Sequence, residues 1–299
     1  MRDESERPLH ADTPTLAYFQ FSQASLSDYL DCARRFQLRY VLEQEWPAVE
    51  SEPLIERERL ADLGRRFHRL IQQHVHGLPV DALTRSASAD PDLARWWSRY
   101  LEIGDWKLEV GSWAARKAGV EVGGESQAFS LPANRRAEVT RSVPFGSHRL
   151  VAKYDLLATS DAQAVIVDWK TERKRPDRAT LLRRMQTRVY RYVLAKSDPL
   201  IAPESIAMVY WFAEYPTEPE VLPYDAAQLV DDEVYLHHLL AEIERRAGTV
   251  WPLTSDERKC RFCTYRSLCE RGIVAGVAEL DEVETDLEIE LAEIDEIVY

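Results

Sequence analysis

Val165-Ile166-Val167-Asp168-Trp169-Lys170 is a run of three β-branched aliphatic residues that closes on an acid, an aromatic and a base. A short apolar run after the turn residues Ser160-Asp161 reads as a buried strand. Working outward, the pattern from Val120 to Lys170 is strand-like, with Val139 to Phe145 and Arg149 to Ala158 preceding the quoted run and a turn at Gly146-Ser147 between them. Together they predict an antiparallel meander. A turn near Ser160 to Gln163 pairs positions whose numbers sum to about 323, which sets Asp155 opposite Asp168 with β-carbons about 5 Å apart. Opposed carboxylates repel unless a cation lies between them. Mg²⁺ or Mn²⁺ takes carboxylate oxygens, polarises a phosphate and lowers the pKa of water. Lys170 follows Asp168 by two residues, so both side chains leave the same strand face, and its ammonium is suited to orienting water or stabilising a phosphorane-like transition state. An isolated Asp-x-Lys is more often a surface triad, but the end of a buried strand is where active sites commonly sit.

On either side of the meander the spacing is helical. Leu26, Tyr29, Leu30, Ala33, Phe36 and Tyr40 follow a start at Ser25, with Cys32 inside this first helix; Glu56 to His76 forms a second, ended by Gly77 and Pro79; Leu93 to Leu101 forms a third. After Lys170 come a helix over Arg178 to Lys196, a buried strand over Ser205 to Phe212 and a helix over Ala226 to Ala247. This order is mixed α/β. Gln186 and Tyr190, four apart, share a helix face directed toward the expected cleft, and Arg184, Arg188 and Arg191 make an adjacent stripe suited to phosphates. A solvated basic face is the ordinary reading of such a stripe. Its closeness to Lys170 favours DNA, and single strands in particular.

The chain has 299 residues, 45% of them hydrophobic, and a formal charge of −13. That charge opposes a nucleic-acid partner until its distribution is considered. Residues 279–299 hold ten of the acids and no Lys or Arg, which leaves −3 for the rest, whereas Lys170 to Arg191 holds nine basic residues against Glu172 and Asp177. The field is local, and positive beside the acidic motif. Met1 to Thr15 has no apolar core and no apolar stretch reaches about 18 residues, so neither export nor membrane spanning is expected, and a cytoplasmic setting is. No Gly-Lys dipeptide occurs, which opposes a phosphate-binding loop and with it a helicase. The four cysteines, Cys32, Cys260, Cys263 and Cys269, form one Cys-x2-Cys knuckle and two isolated ligands. In a large cytosolic chain such a set points to a metal, zinc or iron-sulfur, more than to disulfides.

These motifs, in order from Phe21 to Cys269, resemble the RecB-like branch of the PD-(D/E)XK nuclease superfamily, close to the CRISPR-associated RecB-like exonucleases and the iron-sulfur nuclease domain of the AddB recombination protein. Gly64-Arg65-Arg66-Phe67-His68 matches a Gly-x-x-x-His element, Asp155 the second acidic motif, Asp168-Trp169-Lys170 the Asp-x-Lys core and Gln186 to Tyr190 a Gln-x-x-x-Tyr element. Ala152 stands where the family usually has glycine. The resemblance implies a restriction-endonuclease-like mixed sheet flanked by helices. His68 would then be a ligand to the ion of Asp155 and Asp168, with the Trp169 carbonyl as a fourth donor and Glu138 as a lower-ranked acid. A 4Fe-4S cluster on the four cysteines would join the C-terminal segment to the first helix, closing a loop of more than two hundred residues. The implied organisation is an extension over 1–20, a nuclease domain over 21–278 with a helical insertion and the cysteine clasp, and an acidic tail over 279–299. Val283, Leu287, Leu291, Ile294 and Val298 give that tail an apolar stripe fit to dock on the body or on a protein partner, or the tail is a self-repelling coil.

The expectation is therefore a metal-dependent single-strand DNA exonuclease. The competing one is a catalytically silent iron-sulfur DNA-binding or scaffold subunit, which has no need of Asp155, Asp168 and Lys170 together.

Overall fold

The computed structural model describes residues 16, 18–44, 52–103, 107–108, 129–161, 163–247, 249–261, 263–269 and 271–272. The strand-like pattern at 120–128, most of the expected N-terminal extension and the acidic tail lie outside them. Leu16 and Phe19, inside the expected extension, pack in the core.

A mixed sheet is built on the predicted meander, β4 (Asn134–Phe145), β5 (His148–Thr159) and β6 (Ala164–Lys170). One edge of β5 carries β4 in antiparallel register. The other edge is shared: residues 156–159 pair with β6, and Arg149 and Leu150 pair in parallel with β1 (Gln20–Phe21). On the far side of β6 run the parallel β7 (Ile206–Phe212) and then the antiparallel β8 (Tyr215–Pro223). The sequence reading omits β8, whose three prolines read as loop; proline is tolerated there because β8 is an edge strand. Lys107–Leu108 (β2) and Phe129–Ser130 (β3) form a separate small ladder.

Alternation along β6 builds two cores, one on each face. Ala164 and Ile166 face α1 (Gln23–Asp31), α2 (Ala33–Phe36), α7 (Met185–Ser197) and α8 (Ala226–Arg246). Val165, Val167 and Trp169 face α3 (Glu52–Val75), α4 (Val80–Ala87) and α5 (Pro91–Glu102). The result is a mixed sheet between helical layers, as expected. Gly146, in the β4–β5 turn with φ +61°, lies so close to Leu240 of α8 that a β-carbon would meet its methyl at 2.8 Å. No helix among the described residues is long and apolar enough to cross a membrane.

Two expected helices differ. Ser22 and Ser25 form a reciprocal capping box that starts α1 at Gln23, and Cys32, with φ −162° and ψ 110°, interrupts the helix before α2 and a π-helical turn over Gln37–Val41. Cys32 is thus at a helix break. The helix expected over Arg178 to Lys196 is two, α6 (Arg178–Arg183) and α7, because Arg184 takes ψ 136°.

Glu214, in the β7–β8 turn, ties α5 to the sheet: Oε1 accepts from Arg95 at 2.7 Å and from Trp96 Nε1 at 2.8 Å, and Oε2 from Arg99 at 2.5 Å. Burial pushes this carboxyl up, but the three donors outweigh it and hold its pKa down to about 2. The network therefore stabilises the fold above the ordinary glutamate pKa of about 4.3 and is lost as pH falls through about 2. Glu214→Gln is expected to lower the urea midpoint at pH 7, with the difference from wild type narrowing steadily below about pH 4.3.

Candidate active site

The β5–β6 ladder runs from Thr159↔Ala164 to Leu156↔Val167 and stops one rung short of Asp155 and Asp168. The sum rule for the hairpin holds, yet the last rung is replaced: the Trp169 amide donates to Asp155 Oδ2 at 2.8 Å. The strands part here, at the carboxyl end of β6, where ligands collect in open α/β sheets.

On the other edge of Asp155, β4 and β5 pair in constant register from Asn134↔Thr159 to Phe145↔His148, except at Glu138, whose φ is +53°. Glu138 is the residue opposite Asp155. On one side of this position Ala137 and Leu156 face the α3–α5 core; on the other, Val139 and Tyr154 face the α7–α8 core. Both strands exchange faces at the acid pair. A left-handed backbone costs a non-glycine residue about 1–2 kcal/mol, and here it delivers a carboxylate to its neighbour.

His68 reaches the same point from α3, with Nδ1 at 3.3 Å from Asp155 Oδ1 and Nε2 at 3.0 Å from the Trp169 carbonyl. A carbonyl only accepts, so Nε2 is protonated, and the carboxylate favours a second proton on Nδ1. Burial alone would lower the His68 pKa, but the charge and hydrogen bond of Asp155, with Asp168 and Glu138 behind it, raise it to about 8. Asp155 is pushed up by burial and pulled below the usual range by His68, the Trp169 amide and Lys170. Ligand atoms of His68, Glu138 and Asp155 lie within 4.8 Å of one another, all three side chains partly exposed. Glu138 Oε2 also meets Lys153 Nζ at 2.8 Å. One imidazole and two carboxylates form an oxygen-rich set that suits Mg²⁺ or Mn²⁺.

Asp168 is not in that trio. It is 2% exposed, its Oδ1 accepts from Gln186 Nε2 at 2.7 Å, and its Oδ2 lies 3.2 Å from Lys170 Nζ, itself in a residue 6% exposed. Glu138, the lower-ranked acid, thus joins His68 and Asp155, while Asp168 is held deeper against Gln186 and Lys170. The sum rule around Gly146-Ser147 pairs positions totalling about 293 and would have found Glu138 from the sequence. Ala152, in the place of the family's glycine, is buried in the α7–α8 core without disturbing the ladder.

The helix after β6 is packed on several sides. Gln186 turns to Asp168, and Tyr190 is buried with its carbonyl accepting from Tyr154 at 3.1 Å, so the pair braces β5 and β6. Arg184 forms a two-pronged buried pair with Glu172 at 3.1 and 3.2 Å. Arg188 binds Asp232 at 2.6 Å and lies over Tyr235; Arg191 bonds the carbonyls of Thr187 and Pro223 and lies over Tyr224. Asp232 belongs to α8, so Arg188 ties α7 to α8, while Arg184 ties the helix break to Glu172 after β6.

The four cysteines line one pocket with Arg35, Lys259, Arg266 and Arg271. Lys259–Asp31 at 2.6 Å and the Arg34 amide on the Pro252 carbonyl at 3.1 Å hold the same segments together. Burial pushes the Cys263 and Cys269 thiols up, so a metal's charge would be needed to make them thiolates.

A strand-end lysine beside a cation-fitting acid cluster is the arrangement of a metal-dependent phosphodiesterase. The chain belongs to the PD-(D/E)XK nuclease superfamily, whose family model matches residues 20–270, and the nucleases of that superfamily use divalent metals. Among solved structures, a candidate exonuclease from Eubacterium rectale is 12% identical, with 94% of this chain and 98% of that chain covered and a TM-score of 0.47. The protein designated SSO0001 is 11% identical, covers 71% of this chain and 97% of its own, and has a TM-score of 0.33. No curated protein matches the sequence.

Because glycine is at ease at φ +53°, Glu138→Gly is expected to keep the stability within about 1 kcal/mol of wild type while weakening Mn²⁺ binding at least tenfold. Thermal melts and calorimetric titration check the two halves; unchanged Mn²⁺ affinity would remove Glu138 from the ligand set.

Proposed function

We propose that the protein is a RecB-like deoxyribonuclease that hydrolyses phosphodiester bonds of single-stranded DNA from an end. The observation that carries this reading is the convergence of His68, Glu138 and Asp155, from three separate elements, at the opened ladder beside Asp168 and Lys170. His68, Glu138 and Asp155 would hold Mg²⁺ or Mn²⁺, with Asp168 and the Trp169 carbonyl completing the donor set. The cation supplies Lewis-acid chemistry, offsetting phosphate charge and acidifying water. Lys170, buried against Asp168, supplies a fixed positive charge for the non-bridging oxygens as negative charge grows on them. Gln186 keeps Asp168 in place while this happens. The depth of Asp168 and Lys170 supports a single-stranded substrate, since an unpaired strand can bend its backbone into a recess that a stiff duplex spans. The RecB-like resemblance assigns such an activity to DNA repair and recombination or to CRISPR-associated processing.

End-labelled single- and double-stranded DNA incubated with Mn²⁺, Mg²⁺ or chelator tests the reading. Wild type is expected to degrade single strands from an end only with metal, and Asp168→Ala and Lys170→Ala to lose roughly 10²-fold or more in rate. Equal cleavage by all three proteins would trace the activity to a contaminant and favour the silent-subunit alternative.

The RecB-like resemblance, with the four cysteines lining one pocket, supports a 4Fe-4S cluster as a structural clasp. Anaerobic purification is expected to give a brown protein with about four irons per chain, and Cys32→Ser to lose the colour and lower the melting temperature. Colourless protein carrying zinc and no iron would overturn the iron-sulfur assignment and leave the nuclease one standing.

A further inference from the structure

We propose that Tyr210 is a positioning residue of the nuclease site, its buried hydroxyl fixing the Gln186 carboxamide that holds Asp168; the proposal rests on the nuclease reading of that site. Tyr210 is the β7 residue in parallel register with Asp168, fully buried beneath α7. Its oxygen lies 3.3 Å from Gln186 Oε1 and 2.8 Å from Thr187 Oγ1.

A proton inventory sets the direction of these bonds. The Leu181 carbonyl can only accept, so Thr187 spends its single proton there, at 2.6 Å, and faces Tyr210 as an acceptor. The one phenolic proton is therefore shared, with its shorter arm on Thr187 Oγ1 at 2.8 Å and its longer arm on Gln186 Oε1 at 3.3 Å. Burial, with the nearby charge of Asp168, raises the Tyr210 pKa and keeps that proton in place. Gln186 can meet a donor only with its oxygen, which turns its NH₂ onto Asp168 Oδ1 at 2.7 Å. The reversed amide would set its oxygen against a carboxylate oxygen at that distance, the other oxygen of Asp168 lying 3.2 Å from Lys170 Nζ. Tyr210 thus backs, from behind, the amide orientation that Asp168 also favours, and Asp168 is held between that amide and Lys170. Nothing in this arrangement requires Tyr210 to touch DNA or a cation.

Tyr210→Phe removes one oxygen and keeps the ring. The amide oxygen of Gln186 then faces a carbon, the amide is free to rotate, and Asp168 loses a fixed partner. The expected kinetic result is a fall of about tenfold in kcat on single-stranded DNA with the KM for DNA unchanged. Because the effect passes through Gln186, adding Tyr210→Phe to Gln186→Ala is expected to cause no further fall. A purely structural tyrosine would give multiplicative losses in that double variant, which overturns the proposal. A second readout needs no turnover: in ¹⁵N NMR spectra of metal-free protein, the side-chain NH₂ signal that Gln186→Ala removes is expected to shift and exchange faster with water in Tyr210→Phe. An unmoved signal likewise overturns the proposal. If wild type cleaves no DNA while that signal moves, the nuclease reading fails and the positioning role of Tyr210 stands.

Discussion

One hydrogen bond, from the Trp169 amide to the Asp155 carboxylate, governs the geometry of this molecule. An ordinary hairpin would continue with a backbone rung, and Asp155 and Asp168 would be two side chains on a closed sheet. Substituting a side-chain acceptor for a backbone one ends the ladder where chemistry is wanted. It also fixes one oxygen of Asp155, leaving the other to face His68. The Trp169 peptide contributes twice, since its carbonyl engages the second nitrogen of the same imidazole.

Around that bond the charges are arranged in two groups. Glu138 and Asp155 face Lys153 and His68 at the accessible end of the site, and Asp168 and Lys170 form a deeper pair beneath α7. The accessible group consists of residues that can exchange a proton or a lysine contact for a cation. The deeper pair is braced by Gln186 and closed over by the helix break, whose arginines are all engaged. A mobile charge can enter the first group while the second stays rigid, a division that transition-state stabilisation by preorganised groups requires.

The meander, its register and the identity of Asp155, Asp168 and Lys170 were legible because strand periodicity and turn residues are local. His68 became legible only through resemblance, since nothing local in α3 says which way an imidazole will face. Glu138 sits in a strand that alternates normally in sequence, and the same turn arithmetic applied one hairpin earlier sets it opposite Asp155. The surroundings of the arginines were hidden for a different reason. Helical spacing identifies a stripe but not what packs on it, and Asp232 and Glu172 are distant in sequence or lie beyond the break at Arg184. The helical spacing of its neighbours predicts Cys32 within a helix, whereas its own extended backbone breaks that helix.

The exchange of faces at Glu138 and Asp155 makes the hairpin between them a segment of fixed length. Inserting or deleting one residue in either arm would turn every inward side chain of that arm outward while the opposite arm kept its phase, and both helical layers would lose contacts at once. The loops beyond β6 and β8 carry no such restriction. Chain-length variation in proteins built this way should therefore collect outside the first hairpin, making its residue count a more durable mark of the architecture than the identity of most side chains within it.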